Sequence, residues 1–456
     1  MTMTEEIIDV AGIGFGPSNV ALAIAIEEFN EAAEPASRLT ARFVENKDRF
    51  SWHPGMLLPG AKMQISFLKD LVTQRNVRSR YTFLNYLEEH DRLTDFINLQ
   101  AFRPTRLEFQ DYLRWAVRLV DADVAYGTTA VSVRAAEDCL EVVLRGQNTG
   151  VLRARNVVVG VGLSPRLPDG VVANERVFHN HQLLPRLAAL SPLRRQRFVV
   201  LGAGQSAAEV IGHLYQTCRR ASIHAVFGRY GFSPADDSPY ANRIFDPAAV
   251  DEFYSAPTEL RRQLMNYHRG TNYSAVDPAL IEQLYALEYA ERVDGDRRLF
   301  MHGASRITGI NDAGEDVTVT VAHGPTGRTE ELVCDAVVCA TGFRPVDLRG
   351  ILGELADAYA FDTDGPRVSR DYRLVSTASA PGEIYLQGGT EHTHGISSSL
   401  LSNIAVRSGE IVRSIACGSI ETRRAERGGR AVAQRWSASW SPRDEAASGG
   451  TKPGQR

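Results

Sequence analysis

A short apolar run that breaks at closely spaced glycines and resumes with helical spacing occurs twice in this chain. Ile7–Ile13 runs into Gly12, Gly14 and Gly16 and is followed by Val20–Phe29; Arg197–Leu201 runs into Gly202 and Gly204 and is followed by Ala207–Tyr215. Strand, glycine turn and helix in that order form a dinucleotide-binding unit. The first glycine allows a tight turn, the second lets backbone N–H groups approach a pyrophosphate, and the helix N-terminus attracts the anion. Both turns depart from G-x-G-x-x-G at the third glycine, where Pro17 and Ala207 stand. A helix can begin at either, and proline at the first helical position lacks only an N–H that the helix leaves unused. Glycines after a single strand often serve a turn and nothing more, but two complete units predict an α/β protein with two Rossmann-like dinucleotide-binding domains.

The strand after each turn separates the two nucleotides. Glu45 closes the apolar stretch Ala41–Val44. A carboxylate there accepts hydrogen bonds from ribose hydroxyls and repels a 2′-phosphate, so the first site suits FAD better than NADPH. In the second unit Ile223–Phe227 ends in Gly228-Arg229. An arginine pairs bidentately with a 2′-phosphate, which points to NADPH at Gly202, Gly204, Gln205 and Ser206. Arg219 and Arg220 are rivals for that contact, and an arginine at a strand end is also an ordinary surface residue.

Composition narrows the classes. The 456 residues exceed the roughly 100 to 200 of one domain, and 43% hydrophobic against 23% charged residues leaves ample surface for cores. Lys plus Arg (51) against Asp plus Glu (55) gives a charge of -4, so no basic field favours nucleic acid. Cys139, Cys218, Cys334, Cys339 and Cys417 contain no C-x-x-C pair; neither a metal site nor a redox couple is expected, and a reducing cytoplasm fits. The N-terminus is acidic before its apolar run, and that run breaks at Gly12, short of the roughly 20 apolar residues of a membrane span.

Between the units, Leu107–Val120 reads as an amphipathic helix, and Val131–Leu144 and Val151–Gly160 as strands. A further apolar strand, Ala336–Ala340, reads as the chain's return to the first lobe, which makes the second lobe an insertion. The expected layout is an FAD-binding domain at 1–170 and 336–417, an NADPH-binding domain at 171–235 and 300–335, a smaller substrate-binding region at 236–299 and a flexible tail at 418–456.

Three long stretches then carry a resemblance: WHPGMLLPGAKMQISFLKDL (Trp52–Leu71), DDSPYANRIFDP (Asp236–Pro247) and EHTHGISSSLLSN (Glu391–Asn403). They resemble the microbial amine N-hydroxylating flavoprotein monooxygenases, the L-ornithine N5-monooxygenases and L-lysine N6-hydroxylases of siderophore biosynthesis, over roughly residues 5–415. The resemblance implies that Gln64 lies near the flavin, that Lys69 pairs with the amino-acid carboxylate, and that Trp52, His53 and Arg106 contact FAD. It implies that Asn242 and Asn272 bind the amino acid, with Asn272 also at the nicotinamide ribose. Gln64, Lys69 and Asn272 are thereby the residues at the reacting centre. Ile396 falls in a segment that closes over the isoalloxazine, with Ser398 facing the substrate amine. Read alone, Lys69 would be a solvated lysine and both asparagines turn residues. Some members carry arginine where this chain has Gly228, which shifts or removes one phosphate contact. A homo-oligomer, often a tetramer, is implied as well.

The implied reaction is hydroxylation of the side-chain amine of L-ornithine. NADPH reduces FAD, reduced flavin takes up O2, and a C4a-hydroperoxyflavin delivers oxygen to the amine. The amine must be neutral although free aliphatic amines titrate near ~10.4, so a partly desolvated pocket is required. The cofactor carries the reactivity, so no acid–base dyad is expected. Lysine N6-hydroxylation differs by one methylene, worth only about 1 to 3 kcal/mol; NRIFDPAAVDEFY and NYSAVDPALIEQLY resemble the ornithine branch more closely. A pyridine nucleotide:disulfide reductase would need a cysteine pair beside the flavin. Baeyer–Villiger and dimethylaniline-type monooxygenases share the two turns, but QISFLKD and THGISSS argue against them. A nucleotide-binding interaction protein would oxidise no NADPH.

Overall fold

The first glycine turn joins β1 (Ile8–Ile13) to α1 (Pro17–Ala32) in a computed structural model that describes residues 6–190, 196–314, 316–378 and 380–427. β1 is parallel to β2 (Ala41–Val44) on one side and to β6 (Gly150–Val159) on the other, with Gly12 opposite Phe43 and Val158. β3 (Asp123–Ala125) extends the sheet beyond β2, and β5 (Leu140–Gly146) and β4 (Thr128–Ala135) extend it antiparallel beyond β6. The run read as one strand over Val131–Leu144 is thus a hairpin, closed where Ala136 N–H donates to the Cys139 carbonyl at 2.9 Å; Glu137 and Asp138 interrupt the apolar pattern there.

Val20–Ile26 is buried without a break, because α1 is covered by the sheet and by the chain's last helix. α2 (Arg106–Leu119) shows the other regime. It buries Phe109, Tyr112, Leu113, Trp115 and Ala116 along one face, and Thr105 Oγ1 accepts from Glu108 N–H at its start.

The second turn lies in its own parallel sheet. β7 (Val177–His179), β8 (Arg197–Leu201), β9 (Ser222–Val226) and β10 (Leu299–His302) are joined by a strand at Ala336–Cys339. α3 (Gln205–Thr217) follows β8. An antiparallel layer of β11 (Ser305–Ala313), β12 (Asp316–His323) and β13 (Thr329–Cys334) covers this sheet through Val317, Val319 and Val321. The strand Ala336–Cys339, now β14, lies between β8 and β7, giving the order β10-β9-β8-β14-β7.

This corrects the expected return of the chain. β14 completes the second sheet, and re-entry follows it, where Phe343–Pro345 pairs antiparallel with the outgoing Leu163–Pro165. A run buried on both faces fits either parallel sheet, so its apolar character carried no address. The first sheet gains a different late strand, β15 (Glu383–Leu386), parallel to β6.

The expected substrate region divides as well. α4 (Pro247–Ser255) and α5 (Thr258–Asn272) stand between the lobes, but α6 (Pro278–Asp294) packs Leu284 into the second core. The last helix, α7 (Ile404–Arg427), continues past the expected start of the tail, and 428–456 lie outside the described residues. Among the described residues no helix is long and apolar enough to cross a membrane.

A candidate active site between two nucleotide turns

At the first turn, Gly14 has φ 84°, and a Cβ there would come 2.7 Å from the Gly160 carbonyl oxygen; one on Gly12 would strike the Phe43 ring. In front of Gly16 the space is open. Gly16 caps α1 with no side-chain hydrogen bond, and Pro17 occupies the first turn. The helix therefore presents unfilled backbone N–H groups to that space, the arrangement that holds a pyrophosphate. Glu45 is buried and accepts from Phe15 N–H (2.8 Å) and Lys47 N–H (3.0 Å), which ties β2 to the turn. A carboxylate has about four acceptor sites, so ribose hydroxyls can still be bound. Asn19 is fully buried and donates to the carbonyls of Ile13 and Gly14, while its Oδ1 has no partner among the described residues.

The second turn repeats this geometry. Gly202 has φ 141° and faces the Ala340 carbonyl, and Gly204 caps α3 without a side-chain bond. Gln205 is committed: its Nε2 donates to Glu209 Oε1, and its Oε1 accepts from Asp277 N–H, both at 2.8 Å. Ser206 follows it in the first turn of α3. Arg229 follows β9 at the same sheet edge, exposed, donating to Ser233 Oγ and the Ser274 carbonyl and paired with no carboxylate among the described residues. Arg219 and Arg220 precede β9 and so lie at the opposite edge, a helix length of roughly 20 Å away.

Beside the second turn opens a cleft of about 770 Å³, lined by Gln64, Lys69, Asn242 and Asn272 together with Gln205, Met63, Phe245 and Leu400; Trp52, His53, Ile396 and Ser398 lie outside its lining. Residues far apart in sequence thus share one wall. Lys69 is half-buried, its Nζ 5.7 Å from the Phe245 ring centroid, with no described carboxylate in ion-pair reach. Burial pulls its pKa below the ordinary lysine value, and Asp246 opposes this. Asn242 Nδ2 bonds the carbonyls of Asp237 (2.9 Å) and Ser238 (3.2 Å), which fixes its loop, and an ion pair from Arg103 to Asp237 at 2.6 Å closes one side of the cleft.

The family model for L-lysine 6-monooxygenase/L-ornithine 5-monooxygenase matches residues 6–345. The chain belongs to that family. It is 41% identical over 411 residues to the L-ornithine N(5)-monooxygenase of Burkholderia cepacia, covering 86% of this chain and 90% of the relative. Among solved structures it is similar to the Kutzneria sp. 744 ornithine N-hydroxylase KtzI, whose structure is described with reduced FAD, NADP+ and L-ornithine (TM-score 0.86, 43% identity, 91% of this chain and 100% of that one). It is also similar to the ornithine hydroxylase PvdA of Pseudomonas aeruginosa (TM-score 0.85, 34% identity, 90% and 99%).

Arg106, expected at the flavin of a member of this monooxygenase family, is engaged across the two lobes. Its Nη1 and Nη2 donate to Glu209 at 2.7 and 2.9 Å, a bidentate pair from the start of α2 to the helix of the second turn. The Trp52 ring packs on Phe109, and its backbone N–H donates to Gln110 Oε1. His53 has φ 46°, in the left-handed region that side chains seldom adopt. Ile396 and Ser398 sit buried in a short turn after Gly395, and Ser398 Oγ has no hydrogen-bond partner among the described residues.

Sequence reading missed three supports. Asn19 sits behind the first turn. Asp70 accepts from the N–H groups of Val72, Thr73 and Phe83 and from Thr73 Oγ1, holding the segment that carries Lys69. Arg407 on α7 is fully buried. The signal for Asp70 was present in FLKDL, where an acid beside Lys69 is flanked by apolar residues; nothing local marks the other two.

Proposed function

We propose that the protein hydroxylates N5 of L-ornithine, with FAD at the first turn, NADPH at the second, and O2 as co-substrate, in the making of a siderophore or related product. The carrying observation is Lys69: a half-buried ammonium with no described carboxylate in ion-pair reach, in one cleft with Asn242, Asn272, Gln64 and Gln205 of the second turn. Arg103 in the same lining is held by Asp237, whereas Lys69 is half-buried beside amides, and an ammonium so placed fits an amino-acid carboxylate.

The residues at the first turn fit FAD. The open space before Gly16, the buried Glu45 and the unpartnered Asn19 Oδ1 and Ser398 Oγ all await a polar ligand. Gly12, Gly14, Gly16, Pro17 and Glu45 would hold its dinucleotide half, and Trp52, His53, Gln64, Ile396 and Ser398 its ring. Gly202, Gly204, Gln205, Ser206 and Arg229 would hold NADPH. When bound and reduced, FAD supplies the activated oxygen. The chain's own residues do the rest. Lys69 and the two amides fix the far end of the substrate, which puts the side-chain amine at a fixed depth. Met63, Phe245 and Leu400 exclude water there, which lowers the amine's pKa and leaves its lone pair free. Ser398 Oγ accepts a hydrogen bond from that amine and orients it.

The ornithine reading over lysine rests on the resemblance of the cleft segments and on the ornithine-named relatives. Hydroxylamine yield per NADPH with each amino acid tests it: ornithine is expected to be turned over faster at equal coupling, and faster turnover of lysine would reverse the assignment. Consumption of NADPH with no hydroxylamine from either would end the proposal. The same reading extends to a homo-oligomer, checked by size-exclusion chromatography, and to a reducing compartment, which suits the five free thiols.

A further inference from the structure

Among the described residues Arg407 is the largest side chain fully removed from solvent. Its Nε donates to Gln387 Oε1 at 2.8 Å, its Nη1 to the Ser398 carbonyl at 2.5 Å, and its Nη2 to Ser18 Oγ at 3.5 Å. No described carboxylate pairs with it. The acid one turn away on the same helix, Glu410, is held bidentately by Arg370 at 2.9 and 3.1 Å. Burial lowers the pKa of Arg407, yet an arginine stays charged in proteins. The result is a buried cation bonded only to neutral acceptors, which is costly to maintain, and an apolar side chain of similar volume would pack at lower cost.

The three acceptors lie on three segments that meet at one edge of the first sheet. Ser18 opens α1 at the first glycine turn, Gln387 follows β15, and Ser398 lies in the turn whose hydroxyl is buried and unpartnered. Gln387 reinforces the junction, since its Nε2 donates to the Ser18 carbonyl (3.3 Å) and to Ser408 Oγ (3.0 Å). Asn403 Nδ2 holds Ser397 Oγ at 2.9 Å.

We propose that Arg407 is a positioning residue: its fork fixes the Ser398 turn against the first glycine turn, and its charge acts on the flavin bound between them. The inference rests on the FAD reading above. A cation in a low-dielectric interior stabilises the negative charge that a flavin gains on reduction. A fixed turn keeps the substrate amine in place when oxygen is transferred, and without it reduced flavin returns its electrons to O2 unproductively. That leak balances as NADPH + H+ + O2 giving NADP+ + H2O2.

The test compares Arg407→Met and Arg407→Lys with the wild-type holoenzyme in FAD content, thermal unfolding midpoint, flavin midpoint potential without NADPH, and hydroxylamine formed per NADPH oxidised. Expected for Arg407→Met are unchanged or raised thermal stability, a lower flavin potential, and hydroxylamine per NADPH reduced at least ~3-fold, the deficit appearing as H2O2, with KM for ornithine changed less than ~3-fold. Arg407→Lys keeps the charge and loses the fork, so it should restore the potential but not the coupling. Wild-type coupling and potential in Arg407→Met would overturn the proposal, as would a coupling loss in FAD-loaded Arg407→Met that only follows loss of stability. If Arg407→Met does not retain FAD, Arg407→Lys decides alone: poor coupling in a stable, FAD-loaded protein supports the proposal, and wild-type coupling overturns it. Absence of hydroxylamine from the wild-type protein would instead strike the functional reading itself.

Discussion

On the proposed function Lys69 is the residue on which substrate affinity turns, and its environment gives that role a pH signature. A charge-assisted bond to a carboxylate contributes about 1.5 to 3 kcal/mol, so Lys69→Met should lower kcat/KM for ornithine roughly 10- to 150-fold, mostly through KM. Burial depresses the pKa of Lys69, so its charge is complete below that lowered value and is lost as pH rises through it. KM of the wild type should therefore climb with alkaline pH earlier than an ordinary lysine near ~10.4 would dictate, while in Lys69→Met it should be high and flat. A wild-type KM independent of pH up to that range would remove Lys69 from substrate binding. Asp70 acts one step back. Its carboxylate accepts four bonds, three from backbone N–H groups, and Asp70→Ala leaves those donors buried and unmet. A loss of about 3 kcal/mol in denaturant unfolding is expected, and a loss under ~1 kcal/mol would mean that water replaces the carboxylate.

At the scale of elements, the two glycine turns were legible because their demands are local. Gly14 needs φ 84° and lies against the Gly160 carbonyl, and both requirements fall on one residue with no side chain. Gly14→Ala should give protein that purifies without FAD, read from the visible absorbance; full flavin occupancy would show that the turn yields without cost. Helix α2 was legible for the same reason, since its apolar period lies within its own span. What failed was addressing. The run Ala336–Cys339 is buried throughout, so its composition shows a strand and not which sheet receives it. The hairpin of β4 and β5 was hidden because two strands of like character are parted by a turn of only a few residues. The cleft residues could be named from long motifs, but the pairing of Arg106 with Glu209, 103 residues on, could not. Ion-pair choice over such a separation has no local trace in sequence.

That pair is one of the contacts that tie the two lobes together. Arg106 and Glu209 are 15% and 6% exposed in their side chains and meet by two parallel N–H donations. Glu209 also holds Gln205, which in turn holds the backbone of Asp277, so the chain of bonds runs from α2 of the first lobe to the second turn and the start of α6. Removing one partner of a buried pair leaves the other charge unmet and costs up to about 3 to 5 kcal/mol. Arg106→Ala and Glu209→Ala should each destabilise the protein, and the double variant should cost little more than either alone, with a coupling energy above ~1.5 kcal/mol. KM for NADPH should rise in Glu209→Ala more than KM for ornithine, because Gln205 loses its anchor. If the two substitutions prove additive, Arg106 serves another partner besides Glu209, and a flavin contact becomes the better account of it.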